Sequence, residues 1–479
     1  MSEWSEWKGL SKEELLKKAR VWARIAEKLH KFYQGKIMTL PCCAIDLFQD
    51  FAWTYTPGVA EPCRVIHKDI GKVFEYTRKW NYCAVVSDGS RILGLGNIGP
   101  EAGLPVMEGK ALLFKALGGV DAFPLCVRAH TVDEMITFLK WIEPTFGFIN
   151  LEDIAKPKCF EILEKARQQL EIPVWHDDQQ GTATVVYAAL KNALRVVGKK
   201  LSEVKITFIG FGSANKKVAD VLLLAGAKPE HIIICDSHGI LGPHREDCKG
   251  TYKWWWCLHT NPEGRQGGIP EAMKDADVLI SMSRPGPGVI KPEWFKLMND
   301  DSIAFLCANP IPEAWPWEAI ESGKVKVVGT GRSDFPNQVN NSLGFPAIAR
   351  GVLDVWARTV TDKMCVAAGD AIAKFTEISG EIHEGRVICR MSEWEVYPYE
   401  AACCAMQAIR EGVARRKVLF QEELERAYEV IRESLQMIWV LMKEGLIKAK
   451  PEDVLGMYPK KEKIDIREQF KNALKQLQP

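Results

Sequence analysis

Short apolar runs rich in β-branched residues alternate with stretches of helical period through most of the chain. "GVDAFPLCV" and "FGFINLEDI" are two such runs, each beside a helix-like stretch. "NYCAVVSDGSRILGLGNIGPEAGLPVMEGKALLFKALGG", residues 81–119, reads as two short strands, a glycine-rich connection and a helix beginning near Pro105. From about residue 181 the alternation sharpens. A helix follows Thr182, and "KITFIGFGSANKKVADVLLLAGAKPEHIIICDSHG" reads strand, glycine turn, helix, strand. "DVLISMS", "SIAFLCANP" and "KVKVVGTG" add further strands. Strands separated by helical stretches predict an α/β chain with an open, doubly wound, mostly parallel sheet.

The two ends differ from this middle. Near the start, Ser11 and Glu14 form a capping-box pattern ahead of a helical run. Residues 39–63, "TLPCCAIDLFQDFAWTYTPGVAEPC", are punctuated by Pro and Gly and read as loop with short elements. Past residue 350 the chain turns helical, and "FQEELERAYEVIRESLQMIWVLMKEGLIKAK" is strongly amphipathic, a helix expected to pack on the body or on a second subunit.

At 479 residues the chain is too long for one ordinary core. A net charge of +1 gives no reason to expect nucleic acid or an anionic membrane as partner. The N-terminus is charged throughout and no long uncharged apolar run occurs, so neither a signal nor an anchor is expected and the predicted location is cytoplasmic. The 14 cysteines are scattered without a C-x-x-C, the pattern of reduced thiols.

Candidate chemistry gathers in three places. Gly210 and Gly212 directly follow a predicted strand and open a helix, with Ser213 and Ala214 in its first turn. Glycines here let the backbone approach a pyrophosphate at a helix N-terminus. Asp236 closes the next strand, where an acid binds the adenosine ribose hydroxyls. The third glycine position holds Asn215, and the bland alternative is a tight turn without a ligand. Asp236 favours NAD, whereas Ser237, His238 and Arg245 could meet the 2′-phosphate of NADP.

The second place is a pair of acidic doublets, Glu152–Asp153 and Asp177–Asp178, each just after an apolar run. Either alone reads as a helix cap. Converging, they suit a hard cation such as Mg²⁺ or Mn²⁺. His176 beside them reads as a packed residue. The third place is Lys110, on an otherwise small and apolar helical stretch, where burial and neighbouring charge can lower the amine pKa enough for a base. Tyr55, before a Pro-Gly turn, could present a phenol as an acid.

"TYTPGVAEPC", "ILGLGNIGPEAGLPVMEGKALLFK", "GVDAFPLCV", "NLEDIAKPKCFEIL", "VWHDDQQGTA", "ANPIPEA" and "TGRSDFPNQVNNSLGFPAIARGVLD" together resemble the malic enzyme family in its shorter, prokaryote-type form. The resemblance implies oxidative decarboxylation of L-malate to pyruvate and CO₂ with NAD or NADP and Mg²⁺ or Mn²⁺. It implies an N-terminal malic domain over 1–180, a Rossmann-like domain over 181–375 and a helical extension over 376–479. Carried over by position, Lys110 is the base for the malate hydroxyl, Tyr55 the acid that protonates enolpyruvate, and Asp177 a second acid lining the site. Glu152, Asp153 and Asp178 match metal ligands. Arg91 matches a carboxylate clamp, and Asn309 and Asn341 match residues holding malate and the nicotinamide region. A homodimer is the family expectation, and "DSHG" at 236–239 is similar to the "DSKG" of NADP-preferring members, a slight lean to NADP. Asn215 departs from the family's small residue and is expected to perturb helix–strand packing. The Trp-rich stretch 247–268 follows no family pattern and reads as a surface loop near the adenosine end or a partner contact. The competing readings are a malolactic enzyme, a catalytically silent relative and a plain hydroxy-acid dehydrogenase. The full set of Tyr55, Lys110 and metal ligands argues against the silent relative, and the paired carboxylates argue against the plain dehydrogenase.

Overall fold

The computed structural model describes residues 10–456. Four strands, β1 (Tyr82–Ser87), β2 (Asp121–Cys126), β3 (Phe148–Leu151) and β4 (Val174–His176), form one parallel sheet in the order β2-β1-β3-β4. Six more form the second: β5 (Ile206–Ile209), β6 (Ile232–Asp236), β7 (Gly239–Ile240), β8 (Val278–Ser281), β9 (Ser302–Leu306) and β10 (Val325–Thr330). Their order is β10-β9-β8-β5-β6-β7, parallel except for the two-residue β7, which runs antiparallel to β6. Central strands such as "FINL", "VLIS" and "SIAFL" are buried throughout. Helices cover both faces of such sheets, so these strands read as continuous apolar runs rather than alternating ones.

Strand order reverses once in each sheet, between β1 and β3 and between β5 and β8. Chains leaving adjacent parallel strands diverge at such a point and open a crevice at the carboxyl ends. All the acidic doublets and the glycine turn lie at strand carboxyl ends.

Two local expectations change. Residues 81–119 hold one strand, not two. After β1 the chain loops, closed only by a bridge between Ile92 and Gly96, because Gly96 and Gly99 at φ +81° and +85° turn it out of extended pairing. The helix begins at Pro100 rather than near Pro105 and runs Pro100–Gly118. A proline in the first turn gives up no helical hydrogen bond and already has the required φ.

The C-terminal helices join the two sheets into one body. Phe345–Asp354 crosses the Pro100–Gly118 helix so closely that a Cβ on Gly118 would stand 2.6 Å from the Pro346 carbonyl oxygen. Buried Arg350 donates to both Asp354 oxygens at 2.7 and 2.8 Å and to Asn81. The amphipathic helix Phe420–Lys443 packs on the body of its own chain. Its Ser434 hydroxyl donates to the Lys115 carbonyl at 2.7 Å, and Arg426 reaches Asp354 at 2.7 Å. Among the described residues no helix is long and apolar enough to cross a membrane.

Candidate active site

The carboxyl ends of β1, β3 and β4 place the candidate residues around one buried point. Lys110 projects from Pro100–Gly118 between the ends of β3 and β4. It donates to Asp177 in a short contact, lies 3.0 Å from Glu152 Oε1 and sits 4.2 Å above the Phe345 ring. Glu152 also accepts from Asn150 at 2.9 Å, and Asp177 from the Trp175 indole at 3.1 Å. Asp178 accepts from the Asp153 backbone at 2.8 Å, and Asp153 accepts from the Leu93 backbone at 3.1 Å. Asp153 holds φ +53°, the left-handed region, so its carboxylate turns back into the crevice.

Asp177 and Asp178 do not cap an ordinary helix. Residues Asp177–Gly181 form a π-turn ahead of the helix Thr182–Val196. Such widened turns recur where a side chain must be aimed. Gly181 is required there: a Cβ would fall 1.9 Å from Asp177 Oδ1 and 3.3 Å from the Asn341 Cβ. Asn341 is thereby brought to the site.

Four carboxylates face one buried ammonium, and the electrostatics follow. Burial and mutual repulsion push Glu152 well above the usual carboxylate range, and burial raises Asp177 although Lys110 opposes it. Asp153 is pushed up to about 7 by burial and then by Asp178. Burial would lower Lys110, but the charges of Asp177 and Glu152 outweigh it and the net shift is upward. The direction is opposite to the one the sequence predicts from burial and neighbouring charge, because the neighbouring charges are two carboxylates, which favour the ammonium. His176 is fully buried, held below its usual pKa by burial, and neither ring nitrogen has a hydrogen-bond partner.

Among the described residues no three His, Cys, Asp or Glu side chains are gathered tightly enough to hold an ion. The expected ligands Glu152, Asp153 and Asp178 share the crevice, but their oxygens are turned to Lys110 and to backbone N–H groups, as like charges do when they separate. Their chemistry nevertheless fits a hard divalent cation. All are oxygen donors, burial raises the pKa of Glu152 and Asp153, and Asp153 Oδ2 is buried without a partner.

The second sheet faces this point. A Cβ on Gly94, in the loop after Arg91, would lie 3.2 Å from the Asn309 carbonyl oxygen at the end of β9. Arg91 is exposed at the mouth, its N–H donating to Asp153 O at 3.1 Å. At the glycine turn Gly210 has φ +80°, and a Cβ would meet the Met282 carbonyl at 2.8 Å. Ser213 and Ala214 start the helix Ser213–Leu224, capped by Gly212. Asn215 does not disturb the packing as expected. Its amide donates to the Ile209 and Gly210 carbonyls at 3.1 and 2.7 Å and ties the turn to β5. Asp236 ends β6. Arg245 grips its carboxylate at 3.0 and 3.2 Å, the His238 N–H donates at 2.9 Å, and Lys253 makes a short ion pair. Despite partial burial these partners hold Asp236 below its usual pKa. Ser237 is exposed beside it, its hydroxyl 3.3 Å from His238 Nδ1.

Tyr55 is not brought to the crevice. It is 72 % exposed, against 8 % for Lys110, and its hydroxyl bonds no described residue. The loop around it is set by its own turns rather than by the body. Three useful residues escaped the sequence reading. Lys156, from the loop after β3, reaches across so that a Gly212 Cβ would stand 4.0 Å from its Nζ. Lys253 comes from the Trp-rich stretch, which lies against the glycine turn through the Tyr252 hydroxyl on Phe211 O at 2.7 Å. Phe345 roofs Lys110. Only Lys156 carried a signal, a lysine in "EDIAKPKC" immediately after an acidic doublet.

Comparisons with known proteins agree with this geometry. The family model "Malic enzyme, N-terminal domain" matches residues 34–132 and 128–167, and "Malic enzyme, NAD binding domain" matches 179–300 and 321–409. The bifunctional malic/malolactic enzyme of Bacillus subtilis is 45% identical over 83% of this chain and 96% of its own. The NAD-dependent malic enzyme of Geobacillus stearothermophilus is 44% identical over 80% of this chain and 78% of its own. Relatives named NADP-dependent malic enzymes match at 40% to 43% identity. The crystal structure of Entamoeba histolytica malic enzyme, 43% identical, superposes with a TM-score of 0.90 over 98% of this chain and 97% of its own. Two sheets meeting at their switch points, a buried lysine among carboxylates and these matches along most of the chain lead to one conclusion: the chain belongs to the malic enzyme family.

Proposed function

We propose that the protein oxidises and decarboxylates L-malate to pyruvate and CO₂, as a homodimer in the cytoplasm. The observation that carries the reading is Lys110, buried between Asp177 and Glu152 at the carboxyl ends of β3 and β4. The cytoplasmic part is supported by cysteines that are all unpaired.

When bound, a divalent cation would polarise the C2 oxygen of malate and a nicotinamide cofactor would accept the C2 hydride. Glu152, Asp153 and Asp178 would hold the cation. Once Glu152 is so engaged, Lys110 loses one of the two charges that keep it protonated, and burial then favours the free amine. Lys110 takes the hydroxyl proton in that form, with Asp177 orienting it and the Phe345 ring excluding water above it. Arg91 at the mouth clamps a malate carboxylate, and Asn309 and Asn341 position the substrate from the second sheet and the π-turn. Tyr55 returns a proton to C3 of enolpyruvate after CO₂ has left, and the tyrosinate is reprotonated by water.

For the cofactor, Gly210, Gly212, Ser213 and Ala214 form the pyrophosphate turn, and Lys156 adds a cation beside it. NADP is favoured over NAD at Asp236. That carboxylate is already matched by Arg245 and Lys253, which leaves an electropositive rim where a 2′-phosphate would sit. Burial and the nearby Lys253 and Arg91 charges hold Lys156 below its usual pKa, a sign that cations crowd there.

The deciding experiment is malate turnover with Mn²⁺ and each cofactor in turn, with and without chelator, followed by product analysis. Pyruvate with chelator-sensitive cofactor reduction supports the reading. Lactate without net reduction would move it to malolactic chemistry, which the Bacillus subtilis relative's name also includes. No product at all would favour a catalytically silent relative.

A further inference from the structure

The two loops that straddle the β1/β3 switch point are tied together by an ion pair that the proposed chemistry does not use. Asp88 directly follows β1, and Lys158 opens the helix Lys158–Gln169, whose Cys159, Ile162 and Ala166 are fully buried. Their side chains meet in a short ion pair, with Asp88 2 % exposed and Lys158 20 %. The other Asp88 oxygen accepts from the Ser90 N–H at 2.9 Å and from the Ser90 hydroxyl at 2.5 Å. That hydroxyl in turn accepts from the Ala155 N–H at 2.9 Å. Between these ties the Arg91 N–H donates to the Asp153 carbonyl and the Leu93 N–H to the Asp153 carboxylate, both at 3.1 Å. Arg91 stands three residues after Asp88, and Asp153 five before Lys158, so neither shifts along the other while the pair holds. A buried charge is costly unless it is matched, and breaking the match is costlier still. What the pair fixes is the register of Arg91 against Asp153.

We propose that Asp88 and Lys158 are positioning residues that set the length of diacid the crevice accepts. This rests on the malic enzyme reading, in which the Glu152–Asp153 side holds the hydroxy-acid end of malate and Arg91 clamps the carboxylate at the other end. A ligand with two charged ends gains from both anchors only when their spacing matches its own. With the ion pair in place that spacing is fixed, and a diacid one methylene longer must give up one anchor. With the pair gone, hydrogen bonds through single N–H groups hold the two loops together, and Arg91 is free to shift. Discrimination by length then falls. The chemical step continues, because Lys110 stands on a different helix and keeps its own partners. Lys158 acts through Asp88 rather than on the substrate, since its ammonium is already paired there.

The test compares malate with its five-carbon homologue, 2-hydroxyglutarate, on the wild type, Asp88→Asn, Lys158→Met and Lys158→Arg. Wild-type turnover of malate comes first, so that failure of the underlying reading shows as an inactive wild type, distinct from an unchanged preference in an active one. In Asp88→Asn the carboxamide oxygen keeps the bonds from Ser90 and the charge is lost. KM for malate is expected to rise ~10-fold with kcat within about twofold, the pattern of lost binding rather than lost chemistry. Calorimetry with Mn²⁺ and no cofactor gives the ratio of the dissociation constants of 2-hydroxyglutarate and malate, which is expected to fall by roughly tenfold. Lactate, which lacks the second carboxylate, is expected to bind the variants as it binds the wild type. Lys158→Met must reproduce the change, and Lys158→Arg, which keeps the charge, must hold the wild-type ratio. Because Lys158→Met leaves Asp88 buried and unpaired, Asp88→Asn combined with Lys158→Met replaces it if it does not fold. A wild-type ratio in Asp88→Asn, whatever its melting temperature, overturns the proposal, as does a loss confined to kcat or a Lys158→Arg protein that behaves like Lys158→Met.

Discussion

The two switch points are alike in topology and opposite in electrostatics. At the β5/β8 point the charges around the turn are matched: the Asn215 amide nitrogen donates to two carbonyls, although its Oδ1 is buried without a partner, and Asp236 is matched by Arg245, Lys253 and a backbone N–H. At the β1/β3 point four carboxylates share one buried lysine, three of them shifted upward, and Asp153 Oδ2 and both His176 nitrogens lack hydrogen-bond partners, Nδ1 lying 3.6 Å from Asp178. A surface that only binds can be finished in advance. On the proposed reading, a site that moves protons and accepts a cation is left with charge to be completed, and perturbed carboxyl groups gather at such sites.

The contrast is broken most severely at Lys110. Lys110→Ala is expected to lower malate oxidation by ~10³-fold while leaving part of the metal-dependent decarboxylation of supplied oxaloacetate, since only the first step uses the base. Equal loss of both steps, followed spectrophotometrically, would count against that role. Next comes the π-turn. Gly181→Ala forces the Asp177 carboxylate aside and is expected to cost roughly 1–3 kcal/mol in urea unfolding together with a fall in kcat. A wild-type midpoint would mean that Asp177 is free to move.

The crowded point also sets a pH dependence for the metal-free protein. In the folded protein Asp153 is pushed up to about 7, above the ordinary aspartate value of 3.8, so the folded state holds the extra proton between them. That contribution to stability is present at low pH and lost as pH rises through about 7. Asp153→Asn is expected to flatten this slope in melts between pH 5 and 8. The smallest effect belongs to the satisfied site. Lys253→Gln is expected to weaken NADP binding by ~10-fold, about 1.4 kcal/mol, and NAD binding little. Equal losses in fluorescence titrations would detach Lys253 from cofactor choice.

The legible parts of the molecule were those written locally. Strand, glycine turn, helix and Asp236 follow one another within a single stretch, and the acidic doublets stand directly after apolar runs, so their positions at strand ends were readable. Quantities that depend on who meets whom were not. The upward shift of Lys110 needs Asp177 and Glu152 at its ammonium, and the need for Gly181 appears only with Asp177 folded back over it. Asn215 looked like a defect in a glycine pattern and is instead a clamp, because its amide spans a turn whose shape the pattern does not specify. Lys156 and Lys253 reach their targets from other loops. Tyr55 is named by its motif for a role, but the motif does not place it, and in the structure it stands exposed outside the crevice.

On the proposed reading the crowded crevice is a cation site. The most direct measurement is calorimetric titration of the metal-free protein with Mn²⁺ at pH 8 and pH 6, repeated with Asp178→Ala. Asp153, pushed up to about 7, holds a proton at pH 6 that a cation must displace, so affinity should fall by roughly tenfold on acidification and again in the variant. Binding that is absent, indifferent to pH through about 7, or unchanged in Asp178→Ala would contradict it.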